Sequence, residues 1–508
     1  MKPQIDCLFI GHNEFPFDRY EKEIRMLGKE SAYYRDLKKD FLKEDGLKTM
    51  QDIFNAEWVV KHSGLQILRP YGNVFSQVIA YLGTFLSKRG FTFKYVNTFQ
   101  ENKEKLCSYF EKYSFKCVII PTTHYLWALP IVDIVRFIRK LHPSIKIIVG
   151  GPYITNLMNS NNKKDIEYQL KLIDADYYIN DLQGEDTLSQ IVACLENPQR
   201  IYALPNVIIN DKIIYYTELK PESNDLRDNM IDWTLFEDDL DYIVSMRTSV
   251  SCPFHCSFCG FPQRAGKYTL VDVDVVFEQI KQLDQMKKVK CIFFTDDTFN
   301  VPAKRFKTLL KMMIDEKVQL KWISFLRCQF LDEETVILMK NSGCLGVYIG
   351  IESGNQYILD NMRKSATIEK YKDGLNLLNK YGINTFASFV VGFPGETQET
   401  IQDTIDFIET YKPTFYRPHL WLCDPITPIW ERRDEFNITG KQYEWSHLSM
   451  TALEACDMID NMCKTIHNSI LMPQHMFDFT SIVTLLCMGC ELEFVKNTIR
   501  QFNARVLK

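Results

Sequence analysis

Cys252, Cys256 and Cys259 stand as Cys-x3-Cys-x2-Cys in the run Ser-Val-Ser-Cys-Pro-Phe-His-Cys-Ser-Phe-Cys-Gly. Three thiolates this close can ligate three irons of a [4Fe–4S] cube and leave the fourth iron without a protein ligand. An open iron is a place where a small molecule can bind and react, whereas a fully ligated cluster mainly carries electrons. Structural zinc competes for the same residues, but it wants four ligands, commonly as two pairs. The remaining candidate, His255, lies between two of the cysteines, a poor place from which to close a tetrahedron. Three unrelated buried thiols are not expected to crowd beside Pro253 and Gly260 at the end of a strand.

Such a loop needs a rigid frame, and the flanking sequence supplies one. Strands are expected near Tyr242–Met246, Cys291–Thr295, Lys321–Phe325, Gly346–Ile351, Thr385–Val391 and Phe415–Trp421. Helical periodicity between them covers Val273–Met286, Ala303–Ile314, Glu333–Lys340, Ile368–Lys380 and Gln398–Tyr411. Six βα steps make a partial (β/α)6 barrel, and functional groups in such folds gather where strands end. The cysteines follow the first of these strands. After the others come Asp296 and Asp297, then Arg327, then Glu352 and Ser353 in Gly-Ile-Glu-Ser-Gly, then Gly392-Phe-Pro-Gly395-Glu396-Thr397, then Asp424-Pro-Ile-Thr-Pro428. A carboxylate suits an ammonium, a guanidinium suits a carboxylate, and glycines allow backbone to approach a ligand closely. Each has an ordinary structural alternative as well: a helix cap for the aspartates, a barrel-mouth ion pair for Arg327.

Cys252-x3-Cys256-x-Phe258-Cys259 after a strand resembles the radical S-adenosylmethionine (SAM) superfamily, and the ordered strand-end segments agree with it. The resemblance implies that the cluster's open iron binds the amino and carboxylate groups of SAM and that an electron from the cluster cleaves the sulfonium to a 5′-deoxyadenosyl radical. It places Phe258 near the adenine, Asp296 and Asp297 by the SAM amino group, and Glu352 and Ser353 by the ribose; Arg327 could then pair with the SAM carboxylate, and Gly392 and Gly395 allow close backbone approach.

The N-terminal third alternates strands (Asp6–Gly11, Phe91–Val96, Cys117–Ile120, Lys146–Val149, Asp176–Ile179) with helices and ends in a hairpin over Asn206–Tyr216. This is the rhythm of a doubly wound α/β domain. Charge-rich helical sequence is expected from its first strand to about residue 65. Thr122 and Thr123, Gly150, Gly151, Pro152 and Tyr153, and Gly184 and Glu185 sit at successive strand ends. They resemble the cobalamin-binding domain that precedes many radical SAM barrels. The Asp-x-His-x-x-Gly pattern of one cobalamin class is absent, so a lower axial histidine is not expected, although His12 and His124 lie at strand ends. The expected architecture is α/β: a Rossmann-like cobalamin-binding domain with an N-terminal extension over 1–225, a partial radical SAM barrel over 226–430 and a small helical C-terminal region over 431–508.

Asp6-Cys-Leu-Phe-Ile-Gly-His-Asn-Glu14, Ser31-Ala-Tyr-Tyr-Arg-Asp-Leu37, Cys256-Ser-Phe-Cys-Gly-Phe-Pro-Gln-Arg-Ala-Gly-Lys267, Asp296-Asp-Thr-Phe-Asn-Val-Pro302 and Trp445-Ser-His447 resemble the radical SAM P-methyltransferase family of phosphinothricin-type pathways. That resemblance implies a cobalamin-dependent methyl transfer to an unactivated carbon or a phosphinate phosphorus, on a small-molecule or peptide substrate, with an electron donor such as flavodoxin or ferredoxin. Trp445 and His447 are read instead as packing of the tail onto the barrel. One rival is a radical SAM epimerase or cyclase with a degenerate cobalamin domain; another is a non-catalytic cobalamin or iron–sulfur sensor. A methylthiotransferase would need a second cysteine set, and Cys7, Cys107, Cys117 and Cys194 are dispersed along the sequence.

With 508 residues, 46% hydrophobic and 25% charged, the chain has ample material for large cores without disulfides. A net charge of −5 gives no basic footprint for nucleic acid and no polybasic membrane patch. The opening does not read as a secretory signal, the apolar stretch Ser481–Cys490 is too short for a bilayer, and most of the fifteen cysteines sit in apolar runs. A cytoplasmic location with no membrane partner is expected.

Overall fold

The computed structural model describes residues 2–14, 16–61, 68, 74–159 and 162–508. The chain forms two compact units: residues 1–16 with 74–240, and residues 17–73 with 241–508.

The first unit is built on a seven-stranded sheet in the order Phe93–Thr98, Gln4–His12, Ser114–Pro121, Lys146–Gly150, Tyr177–Ile179, Val207–Asn210, Ile214–Tyr216. The first five are mutually parallel and the last two antiparallel. The central strands are apolar on both faces, as a sheet covered by helices on both sides requires; Cys117, Val118 and Ile120 are fully buried. The helices Leu129–Leu141 and Lys163–Ile173 turn Ile131, Ile134, Ile138, Ile166 and Leu170 into that core. Strand order reverses at Gln4–His12: the second strand in sequence lies on one side of it and the third on the other. In open α/β sheets ligands bind at such a switch point, outside the carboxyl ends of the strands.

The second unit carries the six parallel strands expected: Ile243–Met246, Cys291–Phe294, Lys321–Leu326, Cys344–Glu352, Asn384–Val391 and Phe415–Leu420. A seventh, Ile470–Leu471, pairs in parallel with Phe415–Leu420. Phe293, Phe325, Tyr348 and Phe386, from four successive strands, form an aromatic layer with ring centroids 4.6–5.5 Å apart. Phe479 from the tail packs edge-on against Tyr348 at 5.2 Å. A Cβ on Gly346 would stand 2.5 Å from that ring, so the strand is glycine where the tail presses on it.

The units divide the chain differently from the boundaries expected. Residues 17–73 group with the barrel rather than with the Rossmann-like sheet, because their partners are barrel side chains. Arg417, fully buried on the sixth strand, pairs with both oxygens of Asp40 at 2.8 and 3.2 Å and with Asp36 at 3.4 Å. Arg35 pairs with Asp457 and Asp460 of the tail helix Ala452–Thr465 at 2.7 Å each. The expected helical sequence is Phe17–Met26, Ala32–Leu37 and Met50–Lys61 with a hairpin over Phe41–Lys43 and Leu47–Thr49; its last expected residues, 62–65, lie outside the described residues. Residues 431–508 belong to the barrel unit and are not wholly helical: a three-stranded antiparallel sheet, Thr439–Lys441, Glu444–His447 and Met450–Thr451, precedes the three tail helices. Among the described residues no helix is long and apolar enough to cross a membrane.

Candidate functional site

The loop after the strand Ile243–Met246 brings the three cysteines together. Ser251, in the left-handed region at φ 66°, turns the chain into Cys252. Ser257, between the second and third cysteines, is buried and held on both sides: its N–H donates to Met362 O at 2.8 Å and its hydroxyl to Asn361 O at 2.6 Å. Cys256 is buried and Cys252 and Cys259 half-buried. Burial pushes the Cys252 and Cys259 thiols up. The charge of Arg327 draws Cys252 back down, while for Cys259 the neighbouring thiols and Asp297 add to the rise. Arg327 donates from Nη2 to Cys256 Sγ at 2.9 Å and from Nη1 to Lys364 O at 2.8 Å, with its guanidinium 3.6 Å from the centroid of Phe254. Among the described residues no three His, Cys, Asp or Glu side chains converge on one point where a single ion could sit. A cube asks for something else, since each of its cysteines binds a different iron. His255 is exposed. Ser251 Oγ and both amide atoms of Gln329, all buried, have no hydrogen-bond partner. Buried polar atoms rarely stay so, and these stand beside Cys252 and Arg327 in sequence, where a ligand would satisfy them.

The two adjacent aspartates part company. Asp296 is buried and accepts four hydrogen bonds: from Thr248 N and Oγ1 at 2.8 and 2.6 Å, and from Ser249 N and Oγ at 2.7 and 2.9 Å. Burial raises its pKa and these four bonds oppose the rise. Its carboxylate is committed to the chain leading into the cysteine loop and is not open to a ligand amine. Asp297 is exposed, and desolvation by surrounding protein together with the charge of Asp296 pushes its carboxyl up to about 6. Of the pair, Asp297 is the one that can receive an ammonium.

Glu352 ends the fourth strand at φ 67°, an uncommon conformation for a residue with a side chain. It forms a buried ion pair with Lys364 at 2.7 Å. Lys364 Nζ also lies 5.5 Å from the ring centroid of Phe258, and Phe258 meets Phe393 edge-on at 6.5 Å. Ser353, expected beside a ribose, is fully buried and turned inward, its hydroxyl accepting from Asn355 N at 3.1 Å and standing 3.4 Å from Thr404 Oγ1.

Gly392 and Gly395 both have positive φ, 89° and 95°. A Cβ on Gly392 would meet Trp445 at 2.5 Å, so this glycine admits the tail as much as any ligand. His447 stacks on Trp445 at 5.0 Å, its Nε2 3.0 Å from Gly392 O, in agreement with the packing role expected of both. Glu396 is buried, accepts from Gly392 N at 2.5 Å, and has its pKa raised by burial to about 8, so it is protonated at neutral pH. Asp424, after the sixth strand, pairs with Arg264.

In the first unit a small cleft opens at the switch point. Gly11 and His12 from the end of the first strand, Ser76 and Val78, and Pro121, Thr123, His124 and Tyr125 line it. Asn13, next to His12, accepts from Gln100 and donates from its backbone to Tyr125 Oη at 2.7 Å and from Nδ2 to Pro130 O at 2.7 Å. His12 stacks on Tyr125 at 5.4 Å and meets His124 edge-on at 5.6 Å; burial lowers its pKa to about 4, so the ring is neutral. Of the threonines expected to bind a cofactor, Thr123 lines the cleft, whereas the Thr122 hydroxyl donates to Gly150 O and accepts from Tyr153 N. Gly151 and Gly184 have positive φ, Pro152 begins the helix Pro152–Met158, and Glu185 is buried with Asn224 donating to it at 2.8 Å. Gly11, Ser76, Val78 and Tyr125 were not singled out by sequence; a Cβ on Gly11 would collide with Asn97 O, a constraint visible only once the strands are paired. Cys7 and Cys117 are cross-strand partners with sulfurs 3.8 Å apart, while Cys107 and Cys194 lie apart on helices. Among the described residues the first unit thus brings two of its thiols, Cys7 and Cys117, together.

Residues 246–408 match the model of the radical SAM superfamily. An uncharacterized methyltransferase of Pyrococcus horikoshii is 32% identical over 185 residues, 36% of this chain and 40% of that protein. The anaerobic magnesium-protoporphyrin IX monomethyl ester cyclase of Rubrivivax gelatinosus is 28% identical over 387 residues, 71% of this chain and 67% of that protein. The chain thus spans less than half the length of the first of these relatives and about two thirds of the second. The solved structure of the radical SAM methyltransferase TsrM of Kitasatospora setae, with cobalamin and a [4Fe–4S] cluster bound, superposes with a TM-score of 0.63 at 16% identity, covering 86% of this chain and 96% of that one.

Proposed function

For a chain whose residues 246–408 form a radical SAM domain, we propose cobalamin-dependent methyl transfer to an unactivated carbon or a phosphinate phosphorus of a small-molecule or peptide substrate. The observation that carries the reading is the pairing, on one chain, of a three-thiol loop at a barrel strand end with a doubly wound unit open at its switch point. When bound, the cluster supplies an electron to a SAM sulfonium and cobalamin carries the methyl group. Overall one substrate hydrogen is exchanged for methyl at the expense of two SAM and two electrons from a donor such as flavodoxin or ferredoxin, giving S-adenosylhomocysteine, 5′-deoxyadenosine and methionine.

The residues divide the work. Cys252, Cys256 and Cys259 hold the cluster, and Arg327 steadies the Cys256 side chain. Arg327 is also proposed to meet the SAM carboxylate, since Lys364 and Cys256 engage two of the five N–H donors of its guanidinium. Asp297 receives the SAM amino group, Glu352 the ribose hydroxyls, Phe258 the adenine, and the Gly392–Gly395 backbone lies against it. The layer of Phe293, Phe325, Tyr348 and Phe386 gives the barrel interior an apolar lining, which keeps water and stray hydrogen donors from a radical. In the first unit Thr123, His12 and His124, which line the cleft, would face cobalamin. A second reading, radical chemistry without methyl transfer, draws support from the Rubrivivax gelatinosus relative, a cyclase matched over both units.

Protein reconstituted anaerobically with iron, sulfide and hydroxocobalamin, then reduced with SAM and either H-phosphinates or peptides, separates the two. Methyl transfer yields S-adenosylhomocysteine and 5′-deoxyadenosine together. Formation of 5′-deoxyadenosine alone with a converted substrate refutes it, as does failure of the protein to shift the visible spectrum of hydroxocobalamin.

A further inference from the structure

The turn Asn361–Lys364, which follows the helix Gln356–Asn361, touches the cysteine loop, Arg327, Glu352 and Phe258. Its Asn361 and Met362 carbonyls hold Ser257, inside the cysteine loop. The Lys364 carbonyl holds Arg327, whose other arm is on Cys256 Sγ. The Lys364 ammonium is paired to Glu352 and lies over Phe258. Left-handed φ values at Arg363 and Ser365, 49° and 55°, flank Lys364, and its side chain is only 7% exposed. Lysine is seldom buried so deeply without a purpose for the charge, and residues held in uncommon backbone conformations cluster at ligand clamps. Gly350 adds a second observation. A Cβ there would collide with Glu352 Oε1 and stand 3.0 Å from Lys364 Nζ, so the strand leaves room for this pair.

We infer that Lys364 is a positioning residue for SAM. Its side chain orients the Glu352 carboxylate, and its backbone ties that carboxylate to the cluster loop, so that ribose and sulfonium are presented to the cluster in one register. The inference rests on the proposed reading of the site as a SAM seat. A lysine that only stabilised the fold would affect cluster, melting temperature and ligand affinity alike. A positioning lysine affects SAM affinity first.

The test measures SAM affinity of anaerobically reconstituted full-length protein by calorimetry, with iron content and melting temperature on the same samples. Lys364→Met should weaken SAM about tenfold or more, as expected when a charge-assisted hydrogen bond is pulled out of its geometry, with iron retained. Lys364→Arg should recover most of the affinity. Gly350→Ala, which removes no charge, should weaken SAM in the same way and keeps the test decisive if Lys364→Met folds poorly. Unchanged affinity in a cluster-bearing Lys364→Met or Gly350→Ala protein overturns the inference. So does loss of iron in step with loss of affinity in both variants, since the turn would then be structural only. Wild-type protein that carries a cluster and binds no SAM refutes instead the reading of the site.

Discussion

Substituting Asp296 tests whether this carboxylate holds the chain rather than a ligand. It accepts four hydrogen bonds in a buried setting, two from backbone N–H groups and two from hydroxyls. Each buried donor left without an acceptor costs about 1–3 kcal/mol. The hydroxyls of Thr248 and Ser249 can turn elsewhere and the N–H groups cannot, so Asp296→Ala should cost about 3–5 kcal/mol. Asp296→Asn keeps the oxygen that takes three of the four bonds. Its amide then faces the Thr248 hydroxyl, which must reverse to accept, and the charge is lost, for about 1–3 kcal/mol. Scanning calorimetry of reconstituted protein, with iron and SAM binding measured in parallel, reads the outcome. Both variants should melt earlier, the alanine more so, and lose iron together with stability, because Ser249 is three residues from Cys252. Asp297→Asn should melt normally, keep its iron and bind SAM weakly. An Asp296→Asn protein that melts like wild type, keeps its iron and loses SAM affinity as strongly as Asp297→Asn would refute the assignment.

Asp297, with its pKa raised to about 6, is ionised only above that pH. The fold favours its protonated form, so acidification through this group does not unfold the protein. SAM affinity should therefore fall as pH drops through 6, and titration calorimetry of Asp297→Asn should show that step gone. Arg417→Met would leave Asp40 buried without its cation, at about 3–5 kcal/mol. Denaturant unfolding should show this loss, with part of it recovered in Arg417→Met/Asp40→Asn.

Local signals carried the parts of the site that one segment encodes. The cysteine loop, the six strands before residue 430 and the strand-end glycines Gly151, Gly184, Gly392 and Gly395 were readable from spacing and apolar runs. The division of labour between Asp296 and Asp297 was not, because neighbours at a strand end point different ways and only the fold shows which one meets Thr248 and Ser249. Lys364 carries no sequence signal: it lies 12 residues beyond Glu352 in an ordinary charged stretch. The allegiance of residues 17–73 was hidden for the same reason, since Asp40 and Arg417 are 377 positions apart. The strand Ile470–Leu471 is too short for any period to register. Trp445 and His447 were legible as packing, and the Gly392 carbonyl that receives His447 explains why they sit together.

The grouping of residues 17–73 with the barrel has a consequence for how the molecule comes into being. On the ribosome, Asp36 and Asp40 emerge early, and Arg417 leaves the tunnel only after the whole Rossmann-like unit and five barrel strands have been made. Domains fold largely as units during synthesis, yet here the first unit is stitched from two separated stretches, and the loop it expels must wait, acidic side chains uncompensated, for nearly the length of the protein. Completion of the barrel is thereby deferred to the last part of translation, and a shortened product ending before residue 417 would carry Asp36 and Asp40 without Arg417 to receive them.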